Sequence, residues 1–70
     1  MSEESFNMSL RKFLKTVGVT SQREIENALR AAEAAGGAPG GTVSAKVVLT
    51  VEGLNLSHEI TGEIDMPGGD

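Results

Sequence analysis

Between Glu3 and Val17 the apolar residues Phe6, Leu10, Phe13, Leu14 and Val17 fall at i, i+4, i+7, i+8 and i+11. That spacing makes one stripe of a helix with a 3.6-residue period. Ser2 or Ser5 can cap it, and Glu3 and Glu4 lie at the positive end of its dipole. Gly18 comes directly after the last apolar residue and suits a left-handed helix end. A second stripe, Ile25, Ala28, Leu29 and Ala32, begins after Ser21 and Glu24, which have capping-box spacing. Thr20 is a competing cap. The pattern predicts two helices, over about 3–17 and 21–35, joined by a tight corner at Gly18-Val19-Thr20.

GGAPGG, residues 36–41, stops the second helix and reads as a flexible linker. A phosphate-binding loop would need a helix after it, and the next segment is strand-like. From Thr42 the period switches to 2: Val43, Ala45, Val47, Leu49 and Val51 alternate with Thr42, Ser44, Lys46, Val48 and Thr50. Beyond Gly53, Leu54, Leu56, His58, Ile60, Gly62 and Ile64 alternate with Asn55, Ser57, Glu59, Thr61, Glu63 and Asp65. This predicts an antiparallel hairpin with strands over about 42–52 and 54–65.

Two registers keep the apolar faces together. With Glu52-Gly53 as the loop, Val51 opposes Leu54 and Lys46 opposes Glu59, which adds an opposite-charge pair. With Gly53-Leu54 as the loop, Val51 opposes Leu56 and Val48 opposes Glu59, and Gly leads the turn as type II′ prefers. The charge pair favours the first. Pro67 and the two glycines after it predict a flexible tail over 66–70.

The expected fold class is therefore α+β, ααββ, a single small domain with both N-terminal helices packed on one face of the C-terminal hairpin. A two-stranded sheet is marginal alone and leaves two open edges. Homodimerisation is expected for that reason, through a strand edge, which would extend the sheet, or through the helix faces.

Composition sharpens this. Seventy residues allow one domain, and a core this small rarely supplies more than about 3–5 kcal/mol. No cysteine is present, which removes disulfides and thiolate metal sites as reinforcement. A single histidine argues against structural zinc. A second subunit is the reinforcement left, with self-association or an unknown protein partner. The net charge of −4 disfavours nucleic acid and anionic membrane. No apolar run is long enough to span a bilayer. MSEES lacks the basic and apolar regions of a secretory signal. A cytoplasmic location is expected.

Candidate chemistry is sparse. His58 shares a row with Leu56 and Ile60 and reads as a histidine at the edge of the core; the alternative is a metal or small-ligand position, or a polar switch. Its neighbours Ser57 and Glu59 point to the other face. Glu52, Glu59, Glu63 and Asp65 make an acidic face, but paired-carboxylate catalysis needs a cleft with unequal environments. No nucleophilic triad can be assembled, so no enzymatic activity and no cofactor are expected. The order helix, turn, capped helix, hairpin is also that of a minimal winged helix-turn-helix. In such a unit Ser21, Gln22, Arg23 and Asn27 would face bases and Arg11, Lys12 and Lys15 phosphates. Glu24, Glu26, Glu33 and Glu52 count against that use, as does the missing additional helix.

FNMSLRKFLKTVGVTSQREIENAL and VVLTVEGLNLSHEITGEI resemble the two signature blocks of a family of short bacterial proteins catalogued as a domain of unknown function. The resemblance covers nearly the whole chain except the glycine linker and the tail. It implies a small bacterial, cytoplasmic protein and brings no catalytic or binding residues with it. The expectation from sequence is a non-catalytic interaction or structural module, with the winged-helix-like nucleic-acid binder as the alternative.

Overall fold

The computed structural model describes residues 2–67. Its elements are one helix, α1 (Glu3–Ala34), and two strands, β1 (Thr42–Val51) and β2 (Leu56–Asp65). The chain divides into two compact units, Met1–Ala38 and Pro39–Asp70. The class is α+β, with an antiparallel hairpin after the helical part.

The two-helix expectation is wrong. α1 runs unbroken for 32 residues, about 48 Å at 1.5 Å per residue. Gly18 does not take a left-handed conformation; among the described residues the glycines that do are Gly36, Gly41 and Gly53. The energetic reason is local. Keeping a glycine inside a helix costs about 1 kcal/mol, whereas a break there would orphan the backbone groups of two helix ends. One hydroxyl that could have capped a second helix, that of Thr20, is used within the first, and Thr16 one turn earlier bonds in the same way. Thr20 Oγ1 donates to the Thr16 carbonyl at 2.7 Å, and Thr16 Oγ1 to the Lys12 carbonyl at 3.1 Å. Such back-bonding satisfies a hydroxyl without ending the helix. Ser21 and Glu24 are interior helical residues, and no capping box forms.

Both true ends are well made. At the start, Ser2 is the cap and its side chain accepts from the Ser5 N–H at 3.1 Å. At the end, Gly36 adopts φ +77°. Its N–H donates to the Glu33 carbonyl at 3.0 Å, and the Gly37 N–H to the Ala32 carbonyl at 2.9 Å. These are the two bonds of a Schellman motif, which needs a residue without a Cβ penalty at its left-handed position.

The hairpin takes the register in which Val51 opposes Leu56, Val47 opposes Ile60 and Val48 opposes Glu59. This overturns the favoured register that set Lys46 against Glu59. The loop is Glu52–Asn55, longer than either two-residue turn, so β2 starts at Leu56 rather than residue 54. Two residues in it have positive φ, Gly53 at 86° and Asn55 at 50°. Glycine meets no steric cost there, and asparagine is one of the few others that visits that region routinely. At the open end, the Met66 N–H donates to the Gly41 carbonyl at 2.7 Å and continues the pairing one step beyond Thr42 and Asp65. Met66, assigned to a flexible tail from sequence, is buried at 8% exposure. The rest of that expected tail from residue 68 lies outside the described residues.

The expected alternation is visible in β1, where Val43, Ala45, Leu49 and Val51 are half-buried on one face while Thr42, Ser44, Lys46 and Thr50 are exposed on the other, with Val47 exposed as well. In β2 Ile64 is half-buried and the other positions are exposed. Burial is nonetheless slight throughout. Among the described residues Met66 is the buried one, and α1 contains none.

Candidate functional site

The continuity of α1 decides the geometry of every candidate on it. With about 100° between successive residues, Phe6, Leu10, Phe13, Leu14 and Val17 form a stripe that continues as Ser21, Ile25, Ala28, Leu29 and Ala32. The second half repeats the spacing of the first fifteen positions on, from Phe6 to Ser21 and from Leu10 to Ile25. A fifteen-residue shift turns the stripe by only about 60°, so both halves stay on one side. That phase match was available in the sequence and was the sign of one helix; two separate helices need no common phase.

The stripe is open. Phe6 is 53% exposed and Phe13 51%, with Leu10, Leu14 and Ile25 also exposed. Val17, Ser21, Leu29 and Ala32 are half-buried. Bulky side chains concentrate in the first half and small ones in the second. This is the most prominent exposed apolar surface of the helix. This stripe is the apolar side of an amphipathic helix.

Apart from Ser21, which lies on the stripe, the residues assigned to nucleic acid fall elsewhere. Lys12, Lys15, Gln22, Arg23 and Asn27 lie on the half of α1 away from the stripe, with Arg11 at its margin, and all six are exposed. The corner that would present Gln22, Arg23 and Asn27 at a recognition-helix N-terminus is not formed, because those residues sit mid-helix. Gln22 Nε2 donates to Glu26 Oε2 at 3.2 Å, and Glu26 and Glu33 interrupt the cations on that side. The helix-turn-helix geometry is therefore absent. These residues form the solvated back of an amphipathic helix.

His58 opposes Leu49 on the apolar face of the hairpin and is exposed. Among the described residues no group of three or more histidine and carboxylate side chains is placed to hold a metal. Glu59 and Glu63 lie on the other face with Lys46, whose Nζ is 3.6 Å from Glu59 Oε2. A shallow open hollow surrounds the small pair Ala45 and Gly62, rimmed by Ser44, Lys46, Thr61 and Glu63. It arises because two opposed positions carry almost no side chain.

The sequence matches the family of unknown function DUF6494 over residues 1–67. The chain belongs to that family. No curated protein matches it, and no solved structure does. The DUF6494 match spans helix, linker and hairpin together, so the family is defined by both units. No described helix of this DUF6494 member is long and apolar enough to cross a membrane.

Proposed function

We propose that this protein is a small, non-catalytic, self-associating module, with a homodimer as its basic unit. The observation that carries the reading is the uncovered stripe from Phe6 to Ala32 on a helix with no buried residue. Most helical stability in proteins comes from packing an amphipathic face, with little from propensity alone. A chain with one buried residue in its described part has little core of its own, and small domains without disulfides or metal draw stability from oligomerisation. The apolar face of the hairpin needs cover for the same reason. A cytosolic setting agrees with a cysteine-free composition.

Light scattering coupled to size-exclusion chromatography tests this directly. The mass is expected at twice 7.3 kDa or a higher multiple, falling toward the single-chain value on dilution. A chain that stays monomeric and fully helical at high micromolar concentration overturns the reading.

A further inference from the structure

Each strand of the hairpin has one hydrogen-bonded neighbour, so each has an open edge with unpaired backbone groups. The two edges differ in charge. β2 carries Glu59, Glu63 and Asp65, all on one face. β1, TVSAKVVLTV, carries Lys46 alone, has no proline and is rich in β-branched residues. Paired to its own copy, β2 would bring six carboxylates together at one seam, and like charges across strands are destabilising. β1 has no such defence.

We infer that the β1 edge is a homotypic pairing surface. Two copies join β1 to β1 antiparallel, giving a four-stranded sheet in the order β2-β1-β1-β2. This rests on the self-association proposed above and specifies where on the hairpin it occurs.

Side-chain alternation and charge select the register. Directly opposed residues must lie on the same face, so a symmetric antiparallel pair centres on one residue. Centred on Lys46, two ammonium groups would face each other. Centred on Val48, the overlap shrinks to residues 45–51. Centred on Val47, residues 43–51 pair without like-charge opposition. Val43 then faces Val51 and Ala45 faces Leu49. On the other face Ser44 meets Thr50 and Lys46 meets Val48. The apolar faces of the two hairpins become one surface, and Lys46 keeps Glu59 of its own chain as its ionic partner.

The cysteine-free chain makes the test clean. Val47→Cys places a thiol beside its own symmetry mate, at a cross-strand separation a disulfide can span. Mild oxidation is expected to link Val47→Cys chains into covalent dimers, while the matching β2 variant, Ile60→Cys, stays unlinked. Val48→Lys supplies the complementary test. Within one hairpin the new lysine faces Glu59, so the hairpin keeps its circular-dichroism signal. Across the seam it faces Lys46 of the second copy twice over, which should raise the dimer Kd roughly tenfold. The double variant Lys46→Glu, Val48→Lys restores opposite charges at the seam and should recover the dimer. If the unmodified chain is dimeric by light scattering but Ile60→Cys links as well as or better than Val47→Cys, the β1 seam is wrong and self-association stands. If the unmodified chain is monomeric, both readings fall.

Discussion

Lys46 and Glu59 make an ion pair at 3.6 Å although they are not opposed: Lys46 faces Thr61, and Glu59 faces Val48. The contact runs diagonally across the strands. Diagonal neighbours are within reach of long side chains, so the pair expected from charge survives in a register that charge did not choose. Both groups are well exposed. Replacing either by alanine should cost at most about 0.2–1 kcal/mol, and the difference should fade in 1 M salt, where screening is short-ranged. Thermal unfolding of Lys46→Ala at low and high salt checks this.

Gly18 gives a sharper test. Beyond the backbone of its own helix and its chain neighbours, nothing lies within 4 Å of a Cβ built at Gly18, and its φ is not positive. Gly18→Ala should therefore stabilise α1 by about 0.5–1 kcal/mol and raise the helical signal at 222 nm. A corner with left-handed Gly18 would respond in the opposite sense, so the sign of the change in the thermal midpoint separates the two structures.

Gly36 should behave in the contrary way. Space is open there too, but φ is +77°. Gly36→Ala must strain the Schellman end or abandon it, at a cost of about 1–2 kcal/mol. Gly37→Ala, with no positive φ and nothing within 4 Å, should be far milder. Fraying of residues 31–35 in amide hydrogen exchange would locate the effect.

Asn55 carries the one non-glycine positive φ of the described chain, at 50°. Asn55→Val introduces a β-branched side chain where that conformation is a genuine outlier. It should weaken the hairpin by about 1–2 kcal/mol. Asn55→Gly should be close to neutral. Chemical-shift changes at Val51 and Leu56, which close the loop, report both.

The stripe on α1 predicts an asymmetry between its two sides. Phe13→Ser removes a half-exposed aromatic group from the open surface and should lower the associated fraction. Arg23→Ala, on the solvated back, should leave the scattering mass unchanged. Equal effects of the two would deny the stripe any part in association.

The period-2 alternation made the hairpin faces legible because they are the same in both registers: a slip of two residues returns every side chain to its own side. The register itself was less legible, since Lys46 and Glu59 satisfy their attraction diagonally. The decisive residue was Asn55, whose tolerance of positive φ lengthens the loop. The supposed corner misled for a similar reason. Thr20 and Ser21 before Glu24 carry the local chemistry of a helix start, yet a threonine hydroxyl bonds equally well to the carbonyl one turn back. The common phase of Phe6–Val17 and Ser21–Ala32 outweighed those local signals. With the corner went the placement that made Gln22, Arg23 and Asn27 candidates, while His58 kept its expected place on the apolar face.

The Schellman end at Gly36 closes a helix whose ladder bonds span four residues, and the pairing in the hairpin reaches no further than Gly41 to Met66. Structures this local form quickly: helices in about 0.1–1 μs and hairpins in about 1–10 μs. Two chains meeting at micromolar concentration do so only about 0.1–10 times per second. In a self-associating chain local helix and hairpin thus form and melt many times before a second chain covers the apolar side chains. Refolding should show a fast phase independent of protein concentration and a slow one whose rate rises with it. During that interval the open stripe and the β1 edge, with Lys46 as its one charge, are what a chaperone or a misfolding partner would meet first.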